Sequence, residues 1–290
     1  MRHDSLPYCL SARVAGNRAV YPETVYFRAP ESSYLVGTGG LSARDMAIVH
    51  SVYACRLMTA RQIERLHFAD NRSSDTAARI GRRVLKRLAE QDILRRRERR
   101  IGGIRAGSAG FIYSLGAKGA RLLSDKRLHY YVHDPSDYFM QHTLALADLY
   151  VTLHEQSRAS SYDLLEIQTE PTCWRNFITL ANGRQTLKPD MFVRLGVGDD
   201  ELSYFVELDR GTTYAGSLLK KLRTYERYYQ VGKEQREGGV FPQVLWLVPD
   251  RKRQAALEWL CAPLNERIPG LCMVTTQEHV LQVITGAKPP

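Results

Sequence analysis

Lys188-Pro189-Asp190-Met191-Phe192-Val193-Arg194-Leu195-Gly196-Val197, the turn Gly198-Asp199-Asp200-Glu201, and Leu202-Ser203-Tyr204-Phe205-Val206-Glu207-Leu208-Asp209-Arg210-Gly211 decide the fold. Met191 to Val197 is an apolar run of strand length. Leu202 to Leu208, rich in Tyr, Phe, Val and Leu, is a second, and the stretch between them reads as a polar turn. The spacing predicts a tight hairpin that brings Asp190 and Glu207 close at one end of a sheet. Two carboxylates held there make an oxygen-only site of the kind Mg²⁺ prefers. A lysine beside them can hold a phosphate oxygen or polarise a water, and the helix pattern that follows carries Lys220 and Lys221. Read without that context, Asp190, Glu207 and Asp209 are ordinary strand-end carboxylates, and so short a motif leaves both readings open.

The constellation resembles the restriction-nuclease core, whose pattern is Pro-Asp, a spacer, then Asp/Glu-x-Lys. Pro189-Asp190 and Glu207 match it, and Asp209 stands where the pattern has lysine. Variants of that fold carry the lysine on the following helix, so the resemblance implies Lys221 as first choice and Lys220 as second. It also implies an acid lent by the first helix of the core, with Asp148 and Glu155 as candidates on the helical pattern from Tyr138 to about His154.

Outward from the hairpin, residues 164 to 170 alternate as a strand that Pro171 ends, and Trp174 to Leu180 is an aromatic stretch. A helix from about Tyr214 to Tyr229 turns Leu218, Leu219, Leu222 and Tyr225 inward. Val244 to Val248 is a short apolar strand. Asp250 caps a helix from Lys252 to about Leu264, Met273 to Thr275 is a last strand, and Gln277 to Ile284 a last helix. Helix, three strands, helix, strand, helix, strand is a mixed α/β order, assigned to residues 125–290.

Towards the N-terminus the pattern changes. Ser42 caps a helix with Met46, Val49, Val52 and Tyr53 apolar. Thr59-Ala60-Arg61-Gln62 is a capping box opening a second helix. Ser74 caps a third, to about Gln91, with Ala77, Ile80, Val84 and Leu88 on its core face. Arg79, Arg82, Arg83 and Lys86 recur at i, i+3, i+4 and i+7 on another face. Ile93-Leu94 starts a strand followed by Arg95, Arg96, Arg97, Arg99 and Arg100, and Phe111 to Leu115 returns. Three helices and a basic hairpin predict a winged helix-turn-helix over residues 41–124. From Arg72 to Arg105 there are 12 positive and 4 negative side chains, +8 of the chain's net +10. That concentration in a recognition helix and wing points to duplex DNA, held mainly through phosphates. Residues 1–40, broken by Gly16, Pro22, Pro30 and Gly37 to Gly40, read as a loosely ordered leader with one short strand near Thr24 to Phe27.

The whole chain is 290 residues, 44% hydrophobic and 25% charged, a globular balance, with a basic excess that suits nucleic acid. No apolar run approaches the roughly 18 to 20 residues of a membrane span, and no secretory signal opens the chain. Five scattered cysteines without a CxxC suit a reduced cytoplasmic protein. His129 and His133 stand four apart, but Pro135 and the lack of a third ligand argue against a metal site. The absence of any His-x-His pair disfavours the other DNA-nicking chemistry, a His-metal site with a tyrosine nucleophile. Tyr225, Tyr228 and Tyr229, at helical spacing beside leucines, read as core or rim residues.

Taken together, the basic wing, Pro189-Asp190, the run Glu207 to Thr212, Lys221 and Tyr225 resemble the replication-relaxation family of plasmids and integrative elements, over about Leu41 to Leu260. The resemblance implies a winged helix followed by a PD-(D/E)XK core. It further implies metal-dependent nicking of duplex DNA at an origin of transfer or replication, alongside other transfer or replication proteins. In that reading Asp190 and Glu207 hold Mg²⁺ or Mn²⁺, Asp209 assists, Lys221 or Lys220 supplies the cation, and Arg210 meets a phosphate. The alternative is a DNA-binding replication or regulatory factor whose nuclease-like domain is a scaffold.

Overall fold

The computed structural model describes residues 40–69, 73–97, 111–123, 136–159 and 162–285. The leader, Arg99, Arg100, His129 and His133 lie outside the described residues. The chain forms a mixed α+β structure of two compact units, one running through Ala159 and the other from residue 160 onward.

In the first unit, α1 (Ala43–Cys55) opens with Ser42 and Asp45 capping each other's backbone, and α2 (Ala60–His67) with Thr59 and Gln62 doing the same. Between them lies β1 (Met58–Thr59). Helix α3 (Ser74–Glu90) follows, capped by Ser73, then β2 (Leu94–Arg97), β3 (Ile112–Leu115), the short α4 (Ala117–Leu122) and the long α5 (Asp137–Arg158). The strands form an antiparallel sheet in the order β1-β3-β2. The buried stripe of α3 is Gly81, Leu85 and Leu88, while the expected Ile80 and Val84 are only half-buried. The stripe is rotated because Glu64 of α2 lies within 2.9 Å of where a Cβ on Gly81 would be, so the helices approach at the glycine. Asp45, 1% exposed, accepts from Arg87 at 2.6 Å and ties α1 to α3. One of the arginines of the basic stretch is therefore structural.

Helix α5, expected to begin the second domain, packs against α1 and α2. Arg65 donates to Asp148 at 2.6 Å and to Glu155 at 2.5 and 3.0 Å, and Arg158 donates to the Leu66 carbonyl at 3.0 Å. Asp148 and Glu155 are thus committed to an arginine within the first unit.

The second unit contains β4 (Asp163–Thr169), β5 (Arg175–Thr179), β6 (Gly183–Leu187), β7 (Met191–Val197) and β8 (Asp200–Leu208). After them come α6 (Ala215–Val231), α7 (Lys233–Gly238), β9 (Gln243–Val248), α8 (Arg251–Arg267), β10 (Cys272–Thr276) and α9 (Val280–Ile284). Five strands form one sheet in the order β10-β9-β8-β7-β4. β4, β7 and β8 are antiparallel neighbours, and β9 and β10 join in parallel through the α6 and α8 crossovers. The expected hairpin forms with both strands where the sequence puts them, turning at Gly198 with φ +60°. Between β4 and β7 the aromatic stretch is the first strand of a separate ribbon, β5–β6, that periodicity did not reveal. Asp250 caps α8 by accepting from Arg253 N at 2.8 Å.

The core of this unit packs Phe205, Tyr225, Tyr228 and Phe241 against one another, tilted or edge-on, with ring centroids 5.7 to 6.4 Å apart. Helix α6 contributes Leu218, Leu222, Tyr225 and Tyr228 to it, whereas Leu219, expected inward, is exposed. Each such side chain stabilises the fold by roughly 1.5–3 kcal/mol on burial. That anchorage fixes the rotation of α6, and with it the direction of the next residue on its rim, Lys221.

Candidate functional site

The β7–β8 register pairs Met191 with Val206, and one step further sets Asp190 opposite Glu207, on the same face at the sheet end. Asp190 N donates to the Val206 carbonyl at 3.1 Å. The Asp190 carboxylate accepts from Leu208 N at 2.7 Å. Its position is therefore set by backbone on the partner strand. Glu207 is 1% exposed, and two side chains of α6 reach it. Lys221 Nζ donates to Oε2, and the Tyr225 hydroxyl donates to Oε1 at 2.6 Å. Lys221 and Tyr225 stand one turn apart, the spacing that puts two helix residues on one face.

Burial pushes the Glu207 carboxyl up, to about 8; Lys221 opposes the rise, Asp190 adds to it and Tyr225 opposes it. Burial works against the Lys221 ammonium as well, but Glu207, Asp190 and Glu170 outweigh it and hold the lysine above its ordinary range. Glu170 comes into this group because the β4–β7 register pairs Thr169 with Met191, and one step further brings Glu170 alongside Asp190. The result is a cluster of three carboxyl groups, Glu207 buried and Asp190 and Glu170 half-buried, with the Lys221 ammonium against Glu207.

Asp209 and Lys220 are placed differently. Asp209, 2% exposed, accepts from Arg253 Nε at 2.5 Å and from Gly211 N at 3.0 Å, and Arg253 also donates to the Thr213 carbonyl at 2.7 Å. It pins the loop after β8 to α8, its charge answered by an arginine. Lys220 is exposed, one position round the helix from Lys221. Of the two lysines, Lys221 is the one that meets Glu207.

Among the described residues, no three His, Cys, Asp or Glu side chains form a group able to hold a metal ion. The available donors are the pair Asp190 and Glu207. Such a pair suits Mg²⁺, which is commonly held through one or two carboxylates and takes its other ligands from water and phosphate.

In the first unit, Arg79, Arg82, Arg83 and Lys86 are exposed on α3, with Lys86 3.8 Å from Glu90. Arg95 and Arg96 are exposed on β2, Arg97 is half-buried, and the Arg96 guanidinium lies 4.3 Å from the centroid of the Phe111 ring. Helix and strand thus present cations to solvent from adjacent elements.

Sequence reasoning missed three participants. Tyr225 was legible as an i+4 partner of Lys221. Glu170 required the β4–β7 register. Arg253 reaches Asp209 across 44 positions of sequence, for which no local signal exists.

A mixed α+β chain with a paired carboxylate and a lysine at one sheet end is the class of protein these features define. The family model described as replication-relaxation matches residues 49–244, and the chain belongs to that family. Comparison with curated proteins and with solved structures gave no match. No helix among the described residues is long and apolar enough to cross a membrane.

Proposed function

We propose that this protein is a relaxase-like, metal-dependent DNA-nicking protein of a mobile element, acting at an origin of transfer or replication. The observation that carries the reading is the meeting of Asp190, Glu207 and Lys221: a Pro-Asp pair, a cross-strand glutamate, and a lysine delivered from the next helix to the carboxylate. The antiparallel β4-β7-β8 with parallel β9 and β10 fits a PD-(D/E)XK core. The three helices, the β1-β3-β2 sheet and the exposed cations of α3 and β2 fit a winged helix-turn-helix on duplex DNA. Family membership supports the replication setting.

In this mechanism Asp190 and Glu207 would hold Mg²⁺ or Mn²⁺. Such an ion, when bound, lowers the pKa of a water and offsets charge on the phosphate. Asp190 is already oriented by Leu208 N, so little reorganisation is needed. Tyr225 fixes the rotamer of Glu207 from the core side. Lys221 keeps its proton and holds positive charge where the phosphate oxygens gather negative charge. Arg79, Arg82, Arg83 and Lys86 hold duplex phosphates, with Arg95, Arg96, Arg97, Arg99 and Arg100 of the wing adding to them.

One observation favours the second reading, a DNA-binding replication factor with a scaffold domain. Asp209, in the position of the pattern's lysine, is committed to Arg253. A nicking assay separates the two. Full-length protein with supercoiled plasmid carrying its own element's origin, in Mn²⁺, is expected to yield open circles. Asp190→Asn, Glu207→Gln and Lys221→Ala are expected to leave the plasmid closed while still binding it. A parent protein that binds the plasmid and never opens it supports the scaffold.

A further inference from the structure

The ribbon β5–β6 is inserted between β4 and β7, and its two ends are the immediate neighbours of the acidic pair. The chain leaves the sheet after Glu170 and returns through Lys188-Pro189-Asp190. The ribbon's inner face is braced. Phe177 and Leu187 are buried in the core, and α6 packs against both strands. Arg175 donates to Glu234 and to Gln168, each at 3.0 Å, and lies 5.0 and 5.4 Å from the ring centroids of Phe192 and Phe205.

The outer face has a different composition. The register sets Ile178 opposite Arg184 and Asn176 opposite Thr186. Ile178 is 67% exposed, and Leu180 at the tip is fully exposed. Arg184 and Lys188 are exposed, with Lys188 4.4 Å from the centroid of the Trp174 ring. From Pro171 to Pro189 the sequence has three cations and no acid. Large apolar side chains at the tip of a braced strand pair are not explained by packing within the unit.

We propose that this ribbon is a DNA wedge: Ile178 and Leu180, at the turn end of the ribbon, enter the duplex several base steps along from the phosphate that is cut at the site of Asp190 and Glu207, while Lys188 and Arg184 contact the phosphates between. This rests on the nicking site proposed above. A two-stranded ribbon fits a DNA groove, and apolar side chains pushed between base steps unstack and kink a duplex. Duplex DNA is favoured over a protein or a second copy of the chain for two reasons. The ribbon is continuous with a phosphate-handling site, and its charge is all of one sign, complementary to DNA.

The test uses the full-length chain carrying Asp190→Asn, so that DNA is bound without being cut. The protein is added to relaxed closed-circular plasmid with topoisomerase I, the DNA is stripped of protein, and its topoisomers are separated. The expected result is a shift in linking number on binding. With Ile178→Ser and Leu180→Ser added, that shift is lost while the plasmid is still bound; both side chains are exposed, so the fold tolerates serine there. A shift of equal size in both proteins overturns the wedge. So does conversion of an oligomer to a monomer by the serine pair with the topoisomer shift unchanged, since the ribbon is then a self-association surface. Failure of the parent to nick in Mn²⁺, with a ribbon-dependent shift still present, removes the hydrolytic reading and leaves the wedge.

Discussion

Replacing Arg253 with alanine removes the cation from a carboxylate that is 2% exposed. Asp209 then keeps only the Gly211 amide among these donors, and the loop from Arg210 to Tyr214 loses its tie to α8 at the Thr213 carbonyl. Breaking a buried pair by deleting one partner costs about 3–5 kcal/mol. The retained amide and the 21% exposure of the Arg253 side chain argue for the lower end, about 3 kcal/mol. For a unit of this size that lowers the melting temperature by roughly 6–12 °C. Urea unfolding of the full chain, followed by probes in both units, measures it. Removing both charges, as Asp209→Leu with Arg253→Met, is expected to restore most of the loss, because a buried pair replaced by apolar groups of similar size is close to neutral. Asp209→Leu with Arg253→Met should also retain nicking, since Asp209 structures the loop rather than serving the reaction. A loss under about 1 kcal/mol for Arg253→Ala would mean the pair behaves as a surface ion pair and would refute the structural role given to Asp209.

Three further outcomes follow from the same geometry. Arg82→Ala, Arg83→Ala and Lys86→Ala together should weaken binding to all duplexes without unfolding α3, and should flatten the plot of log affinity against log salt by about 0.9 for each phosphate no longer neutralised. Lys221→Ala should abolish nicking and Lys220→Ala should not, because only Lys221 donates to Glu207. Burial, with Arg158 adding to it, pushes His67 down to about 3 and His154 to about 4. Both stay neutral in the fold while the unfolded chain protonates, so the first unit should lose stability as pH falls below about 6.5. The slope should approach about 1.4 kcal/mol per pH unit for each histidine, read from denaturant unfolding across the acid range.

The sequence was most legible where one face of an element alternates or repeats. Met191 to Val197 and Leu202 to Leu208 announced their strands because both are apolar and a glycine-led turn divides them. The capping boxes at Ser42 and Thr59 announced helix starts because their chemistry is local. Proximity of Asp190 to Glu207 was legible through hairpin register alone. Packing was less so. Periodicity made Leu219 and Leu218 equivalent, and the anchorage of α6 by its tyrosines buried only one of them. The same lack of local signal hid the Asp209–Arg253 pair and the assignment of α5 to the first unit through Arg65. The β5–β6 ribbon was hidden because both of its faces mix polar with apolar residues, Phe177 and Leu187 with Arg175 and Gln185 on one, and Ile178 with Arg184 on the other.

Thermal unfolding of the parent and of Glu207→Gln across an Mn²⁺ titration reads whether Asp190 and Glu207 form one divalent-cation site. An ion bound only by the fold adds about 2.7 kcal/mol at a hundred times its dissociation constant. The melting temperature is expected to climb with Mn²⁺ in the parent and to stay flat in Glu207→Gln. A climb of the same size in both proteins, or in neither, would contradict it.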